Sequence, residues 1–174
     1  ETTGGEDWIA KKDELLLVTG AGGFIGSRVV DSLIRSGFKN IRCFVRPGSE
    51  NALLQAVLRE HPESRCEIVQ GNLLSPADCA RAAEGVSVVY HLVAGRGKSF
   101  PGCFQGSVIT TRNLLDAVVA RKSLKRFVNV SSFIIYSNRN LPQRAVWDES
   151  CPLEDDLGKR FDAYLYGKFK QDEI

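Results

Sequence analysis

At 174 residues, with 43% hydrophobic and 25% charged side chains, the chain has the size and make-up of one globular domain, which excludes disorder, collagen and coiled coil. A domain near this size buries roughly 68–70% of the surface its unfolded chain exposes, enough for a core without disulfide staples. The 23 Lys and Arg against 21 Asp and Glu leave a net charge of +2, far short of the basic excess that a nucleic-acid surface needs.

Residues 1–13 are polar and of mixed charge, an extension lacking the basic segment and apolar stretch of a secretory signal, so a cytoplasmic setting is expected. Leu15-Leu16-Leu17-Val18 is an apolar run ending in Thr19-Gly20, the pattern of a strand buried on both faces of a parallel sheet. Phe24, Ile25, Val29, Val30, Leu33 and Ile34 then recur at helical spacing until Ser36-Gly37, where glycine permits the stop. A second strand is predicted over 41–45, a helix over 52–60 and a third strand over 66–69. Ser75-Pro76-Ala77-Asp78 opens the next helix with a capping hydroxyl, a first-turn proline and an acid suited to the helix dipole, and Gly85 closes it.

Residues 86–93 read as a fourth strand, the stripe of Val108, Thr111, Leu115 and Val118 as a helix, and 126–130 as a fifth strand. Residues 137–160, rich in Asn, Pro, Arg and acids, read as a surface loop, and 161–174 as a last helix. This alternation predicts an α/β fold, a doubly wound parallel sheet with helices on both faces, because right-handed crossovers leave few other arrangements. The longest apolar runs are a few residues, well short of the roughly 20 that span a bilayer, so no membrane segment is expected. The five cysteines, Cys43, Cys66, Cys79, Cys103 and Cys151, are odd in number and scattered without a C-x-x-C pair, and read as reduced thiols.

Gly20, Gly23 and Gly26 fall between a buried strand and the start of a helix, spaced G-x-x-G-x-x-G rather than G-x-G-x-x-G because position 25 is Ile. In that context Gly20 permits the tight turn, Gly23 lets a diphosphate touch the backbone, and Gly26 lets helix and strand approach. The helix start then offers N–H groups and a positive dipole to the phosphates, so a dinucleotide site is predicted.

With this turn, TGAGGFIG over residues 19–26, the chain resembles the extended short-chain dehydrogenase/reductase family, also described as the NAD-dependent epimerase/dehydratase family. Gly71-Asn72-Leu73 is similar to the family's Gly-Asp-Leu, His91-Leu92-Val93-Ala94 to its fourth-strand end, and Val130-Ser131-Ser132 through Tyr136 to its fifth; the likeness covers residues 14–174. The resemblance implies an NAD(P)-binding Rossmann domain over 14–174, with cofactor contacts at Gly20, Gly22, Gly23, Phe24, Ile25, Gly26, Asn72, Leu73, Ala94 and Lys170. Relatives continue well past the position of Lys170 with the C-terminal substrate-binding part. The expectation is therefore an incomplete domain, weak or inactive by itself.

Where an acid about 20 residues beyond the fingerprint would bind the ribose 2′-hydroxyl of NAD, this chain has Arg46. A guanidinium clasps a 2′-phosphate through paired hydrogen bonds, which favours NADP over NAD, with Ser49 as a second donor. By resemblance Asn72 meets the adenine, keeping an acceptor while removing a charge.

Tyr166 and Lys170 share a helix face at a spacing of four. The family's matching tyrosine gives or takes the proton of a hydroxyl or carbonyl, its lysine lowers the tyrosine pKa and holds the nicotinamide ribose, and Ser132 matches the residue that orients the substrate oxygen. A phenol titrating near 10 must come down by about 3 pH units to work near neutrality, roughly 4 kcal/mol. One ammonium about 4 Å away supplies about as much at an effective dielectric near 20. Tyr164 and Lys168 form a second Y-x-x-x-K, rotated by about 200° around the helix, and the apolar line Phe161, Leu165, Phe169 does not choose between the pairs. The resemblance of Tyr166-Gly167-Lys168-Phe169-Lys170 to the family's Tyr-Gly-x-Ser-Lys chooses Tyr166 and Lys170, although Phe169 replaces the common Ser.

Gly95-Arg96-Gly97-Lys98-Ser99 lacks the earlier glycine of a P-loop and reads as a loop near the cofactor. Ser107 stands where relatives often carry Asn. His91 falls in a buried strand pattern, His61 beside Pro62 reads as exposed, and neither has a ligand-spaced partner, so no metal is expected. The reading is an NAD(P)-dependent oxidoreductase or epimerase acting on a small molecule, with a nucleotide sugar as the family's usual substrate and a homodimer compatible with it. A steroid- or flavonoid-type carbonyl reductase and a non-catalytic NADP-binding sensor are the alternatives.

Overall fold

The computed structural model describes residues 8–139, 142, 145–157 and 162–174, and in it the apolar runs become one parallel sheet. Its strands are β1 (Leu15–Thr19), β2 (Asn40–Val45), β3 (Arg65–Gln70), β4 (Val86–His91) and β5 (Arg126–Asn129), in the spatial order β3-β2-β1-β4-β5. Connecting them are α1 (Phe24–Arg35), α2 (Ala52–Glu60), α3 (Pro76–Ala82), α4 (Phe100–Phe104) running through a π turn (Gln105–Ile109) into α5 (Thr110–Val119), a 3-10 turn (Phe133–Ile135) and α6 (Ala163–Asp172). The order reverses at β1: the chain steps outward to β2 and β3, then returns to place β4 on the other side.

Strand alternation sorts the core into two layers. Leu16 and Val18 of β1, Ile41, Cys43 and Val45 of β2 and Val88 of β4 form one cluster with Val30, Leu33 and Ile34 of α1 and Leu54 and Val57 of α2. Leu17, Phe44 and Val89 face the opposite way, where the buried Cys79 and Ala82 of α3 and Leu114 and Val118 of α5 supply cover. Each such fully buried aliphatic side chain stabilises the fold by about 1.5–3 kcal/mol relative to exposure.

By contact density the chain divides into two compact units, one of residues up to Leu92 with Asn113–Asn129, the other of Val93–Arg112 with Val130–Ile174. The first holds the whole sheet. In the second, α6 packs against α4 at Gly167, where an added Cβ would lie 3.0 Å from the Cys103 carbonyl oxygen. Asp162 caps α6, its Oδ1 accepting from the Tyr164 and Leu165 amides at 2.8 and 3.0 Å.

Three expectations need correction. The fourth strand stops at His91, two residues early. The helix expected around Val108 is preceded by α4 and the π turn, because Ser99 Oγ accepts from Gly102 N and Pro101 sits in the first turn; the loop read over 95–99 runs directly into that helix start. The stretch 137–160 is not simply surface: Ser137 N donates to Pro152 O, Glu154 N donates to Ile135 O, and Glu154, 2% exposed, pairs with Arg139 at 2.9 Å. Residues 140, 141, 143, 144 and 158–161, Phe161 among them, lie outside the described residues. Among those described, no helix is long and apolar enough to cross a membrane.

Candidate functional site

In the sheet-bearing unit the glycine turn leaves β1 where strand order reverses between β1 and β4, the place at which open α/β sheets bind ligands. Gly20 takes φ +70, and its carbonyl accepts from Gly23 N at 3.0 Å. A Cβ on Gly26 would lie 2.1 Å from Gly20 O and 2.8 Å from Ala21 Cα, so only glycine lets α1 start this close to β1. The N-cap of α1 is Gly23, which offers no side-chain hydrogen bond, and the first turn carries no acid. Neither a cap nor a carboxylate on this segment therefore answers the N–H groups and positive dipole there, and a diphosphate fits that demand. Gly22 shares the turn, and Phe24 and Ile25 stand 72% and 55% exposed beside it.

Register brings the other candidates of this unit to the same sheet edge. Thr19 is level with Phe44 and Phe44 with Val69, so the glycine turn, Arg46 and Asn72 all follow strand ends by one to three residues. Arg46 is exposed; Ser49 donates its hydroxyl to the Arg46 carbonyl at 2.6 Å, so that proton is already engaged. Asn72 Oδ1 accepts from Leu74 N at 3.0 Å in an Asx turn, and Leu73 is buried with its carbonyl accepting from Asn113 Nδ2 at 3.0 Å. A hollow of about 300 Å³, lined by Trp8, Leu16, Phe38, Val88, Tyr90 and Val128 among others, shares core residues with the α1 layer and none with the glycine turn.

His61 is not the exposed residue expected from its neighbour Pro62. Its side chain is 14% exposed, its Nε2 lies 2.8 Å from Asp31 Oδ1, and Glu60 completes a trio of possible metal ligands. Arg35 already holds both Asp31 oxygens at 2.9 and 3.0 Å, which accounts for the cluster as an ion-pair network between α1 and α2. His91 is fully buried, its Nδ1 2.7 Å from Thr19 Oγ1, and all five cysteines are free.

In the second unit, Ala94 is half-buried and the neighbouring Gly95 N donates to the buried Ser107 Oγ at 2.9 Å, so Ser107 keeps a supporting role with a shorter side chain. Ser132 caps the 3-10 turn, accepting from Ile134 N at 3.4 Å. Tyr166 and Lys170 lie one helical turn apart on α6. The Tyr166 ring packs on Phe100 and Phe104 with centroids 5.6 and 6.2 Å away, and Lys170 Nζ reaches the Glu173 carboxylate at 2.7 Å. Lys168 differs in kind: it is 3% exposed, donates to Val130 O at 2.7 Å and to Gln171 Oε1 at 2.9 Å, and burial pushes its pKa down while Asp172 opposes that. Ser131 donates to Asp172 on the same helix. Sequence reasoning passed over Gln171 and placed Thr111 only on a helical stripe; the one-turn spacing from Lys168 to Gln171 was visible, but nothing local marks that side of the helix as buried.

The family described as NAD(P)H-binding matches residues 20–173. Cinnamoyl-CoA reductase 1 of Oryza sativa is 31% identical over 150 residues, covering 86% of this chain and 44% of that protein. An uncharacterised UDP-glucose epimerase of Bacillus subtilis is 32% identical over 133 residues, covering 71% and 42%. Among solved structures, the dTDP-glucose 4,6-dehydratase DesIV of Streptomyces venezuelae, with NAD and TYD bound, has a TM-score of 0.75 at 25% identity over 91% of this chain and 49% of that one. The chain thus spans less than half the length of these curated relatives.

Proposed function

The chain belongs to the extended short-chain dehydrogenase/reductase family, its NAD(P)H-binding match running over residues 20–173, and from that membership we propose that it serves hydride exchange at a hydroxyl- or carbonyl-bearing carbon of a small molecule. The observation that carries the proposal is the amino end of α1, uncapped and without acid behind a turn that only Gly26 allows. Gly20, Gly22, Gly23 and Gly26 would hold the diphosphate, with Phe24 and Ile25 beside it and Asn72, Leu73 and Ala94 along the rest of the dinucleotide. Arg46, exposed directly after β2, favours the 2′-phosphate of NADP. When bound, the dinucleotide supplies or receives the hydride.

The chain's own residues handle the proton and the orientation. Ser132 Oγ accepts from Ile134 N, a role that leaves its O–H to donate to a substrate oxygen. A tyrosine of α6 passes its proton to that oxygen when a carbonyl is reduced, or removes it when a hydroxyl is oxidised, and a neighbouring ammonium steadies the phenolate left behind. The resemblance gives these roles to Tyr166 and Lys170. A second reading, Tyr164 with Lys168, is favoured by the burial of Lys168.

On substrate, the relatives' names divide between a cinnamoyl-CoA reductase and nucleotide-sugar enzymes. The proposal commits to the chemistry they share. In the test, the protein is titrated with NADPH and NADH by cofactor fluorescence, then assayed on nucleotide sugars, aryl thioesters, aldehydes and steroids. Expected are binding of at least one dinucleotide, turnover of one class, and loss of turnover with binding retained in a Tyr→Phe variant of the working pair. Failure to bind either dinucleotide overturns the proposal, and binding with no turnover of any class points to a sensor.

A further inference from the structure

The hollow of about 300 Å³ in the sheet-bearing unit has no part in the reaction proposed above. Its floor is a row across three strands: Leu16 of β1 is level with Val88 of β4, and Val88 with Arg126 of β5, while Val128 lies two residues further along β5 on the same face. Trp8 and Phe38 also line it, their rings packed edge to face with centroids 5.3 Å apart. The Lys12 ammonium lies over both rings, 3.7 Å from the Trp8 centroid and 4.1 Å from that of Phe38, which holds the two in place. That ammonium is buried and, among the described residues, has no hydrogen-bond partner. Arg126 is the one charged side chain of the lining. It is exposed, and among the described residues neither a hydrogen bond nor an ion pair engages its guanidinium.

We infer that this hollow is a binding site for a carboxylate carried on an apolar body, the body lying on Leu16, Val88 and Val128 and the carboxylate taken by the Arg126 guanidinium. At the roughly 30 Å³ that a water-sized group occupies, the space takes a body of about ten carbon atoms. A sugar or nucleotide would give up its hydrogen bonds to water without finding replacements on these walls. A neutral hydrocarbon would gain burial alone and leave Arg126 unused. An anion gains both, because the planar guanidinium matches a carboxylate in paired hydrogen bonds. The Lys12 ammonium adds attraction for negative charge, since a charge set against apolar rings is weakly screened. The two cations repel a positively charged amphiphile for the same reason. No lining residue belongs to the glycine turn, so this ligand and a dinucleotide bind side by side rather than in competition.

Isothermal titration calorimetry on the full chain tests this with four probes, decanoate, 3-phenylpropanoate, decanol and decyltrimethylammonium, each kept below the concentration at which it aggregates. At least one carboxylate should bind about tenfold or more tighter than decanol, the worth of one hydrogen bond to a charged group, and the cationic probe should not bind. Preference between decanoate and 3-phenylpropanoate separates a fatty chain from an aryl body as the source of the carboxylate. Arg126→Gln should erase the advantage over decanol and leave decanol affinity in place, while Val128→Trp, which fills the hollow, should remove both. Arg126 is exposed, so its variant decides the matter should the tryptophan variant not fold. Trp8 emission, read in a Trp147→Phe background where it is the sole tryptophan, should shift with the same midpoint, and saturating NADPH should leave that midpoint unmoved. Equal affinity for carboxylates and decanol, indifference to Arg126→Gln, absence of binding, or displacement by NADPH overturns the proposal. A dimer in sedimentation that excludes the carboxylates assigns the hollow to a second copy of the chain and overturns it as well.

Discussion

Gly26 carries more of the argument than any other single residue, because a methyl group there would overlap Gly20 O at 2.1 Å and Ala21 Cα at 2.8 Å, both backbone atoms. Gly26→Ala must push α1 off β1, at a cost of about 1–3 kcal/mol for the overpacking, and should abolish dinucleotide binding; urea midpoints and NADPH fluorescence read the two effects. Arg46→Asp exchanges a 2′-phosphate partner for a 2′-hydroxyl partner, so the ratio of NADPH to NADH affinity should fall by at least about tenfold, one lost charged hydrogen bond. Cys66, drawn down to about 7 by the Cys43 thiol first and Ser64 second, should be the first thiol alkylated by iodoacetamide at mildly alkaline pH, and Cys43→Ala should slow it by removing the donor. Equal alkylation of Cys66 in both proteins would contradict that account. These residues differ in how far the sequence exposes them. The glycine triplet is legible because its constraint is local to seven residues, whereas the burial of Lys168 depends on Val130 and Thr111, 38 and 57 positions away, and no local pattern reports it.

Between elements, α1 and α2 are joined at their solvent edge by Asp31, which meets His61 at 2.8 Å and Arg35 at 2.9 Å. His61 first and Arg35 second hold the Asp31 carboxyl below its ordinary value. A carboxylate whose folded pKa is depressed stabilises the fold fully above the unfolded value, about 4, and loses that contribution as pH falls through the folded one. With both side chains partly in water the link is worth about 0.5–1 kcal/mol after screening. Asp31→Asn should therefore lower stability by that amount at neutral pH and converge on the unaltered protein in acid, as urea titrations at several pH values would show; a difference that persisted in acid would rule the link out. At α3, Ser75 Oγ accepts from Asp78 N at 3.3 Å, and Ser75→Ala should cost about 1 kcal/mol. The same cap, serine followed within two residues by proline, opens α4 at Ser99, yet there it follows a run of glycines and charges that lacks the apolar periodicity of a helix. α1 and α2, which have no side-chain cap, were legible from an amphipathic stripe. Phe100–Phe104 is too short to show one.

Across the whole molecule, the doubly wound parallel sheet follows from the alternation, since right-handed crossovers leave few topologies, but the division into two compact units does not, because one of its boundaries falls inside α5, between Arg112 and Asn113, where the helical pattern continues unbroken. That division gives ligand binding a measurable consequence. A dinucleotide that binds only the folded chain at about 100 times its Kd stabilises it by about 2.7 kcal/mol, and for a chain of this size 1 kcal/mol moves the Tm by roughly 2–4 °C. Saturating NADPH should therefore raise the melting temperature by roughly 5–10 °C. Hydrogen exchange then separates the units: slower exchange around residues 20–27 of the first is required by the diphosphate site, and slower exchange of α6 in the second is required if its lysine serves the same dinucleotide. Protection confined to the first unit would leave the fingerprint as a binding module and remove the support for chemistry on α6. Protection in both, lost together in Gly26→Ala, is the outcome expected of a dehydrogenase or epimerase.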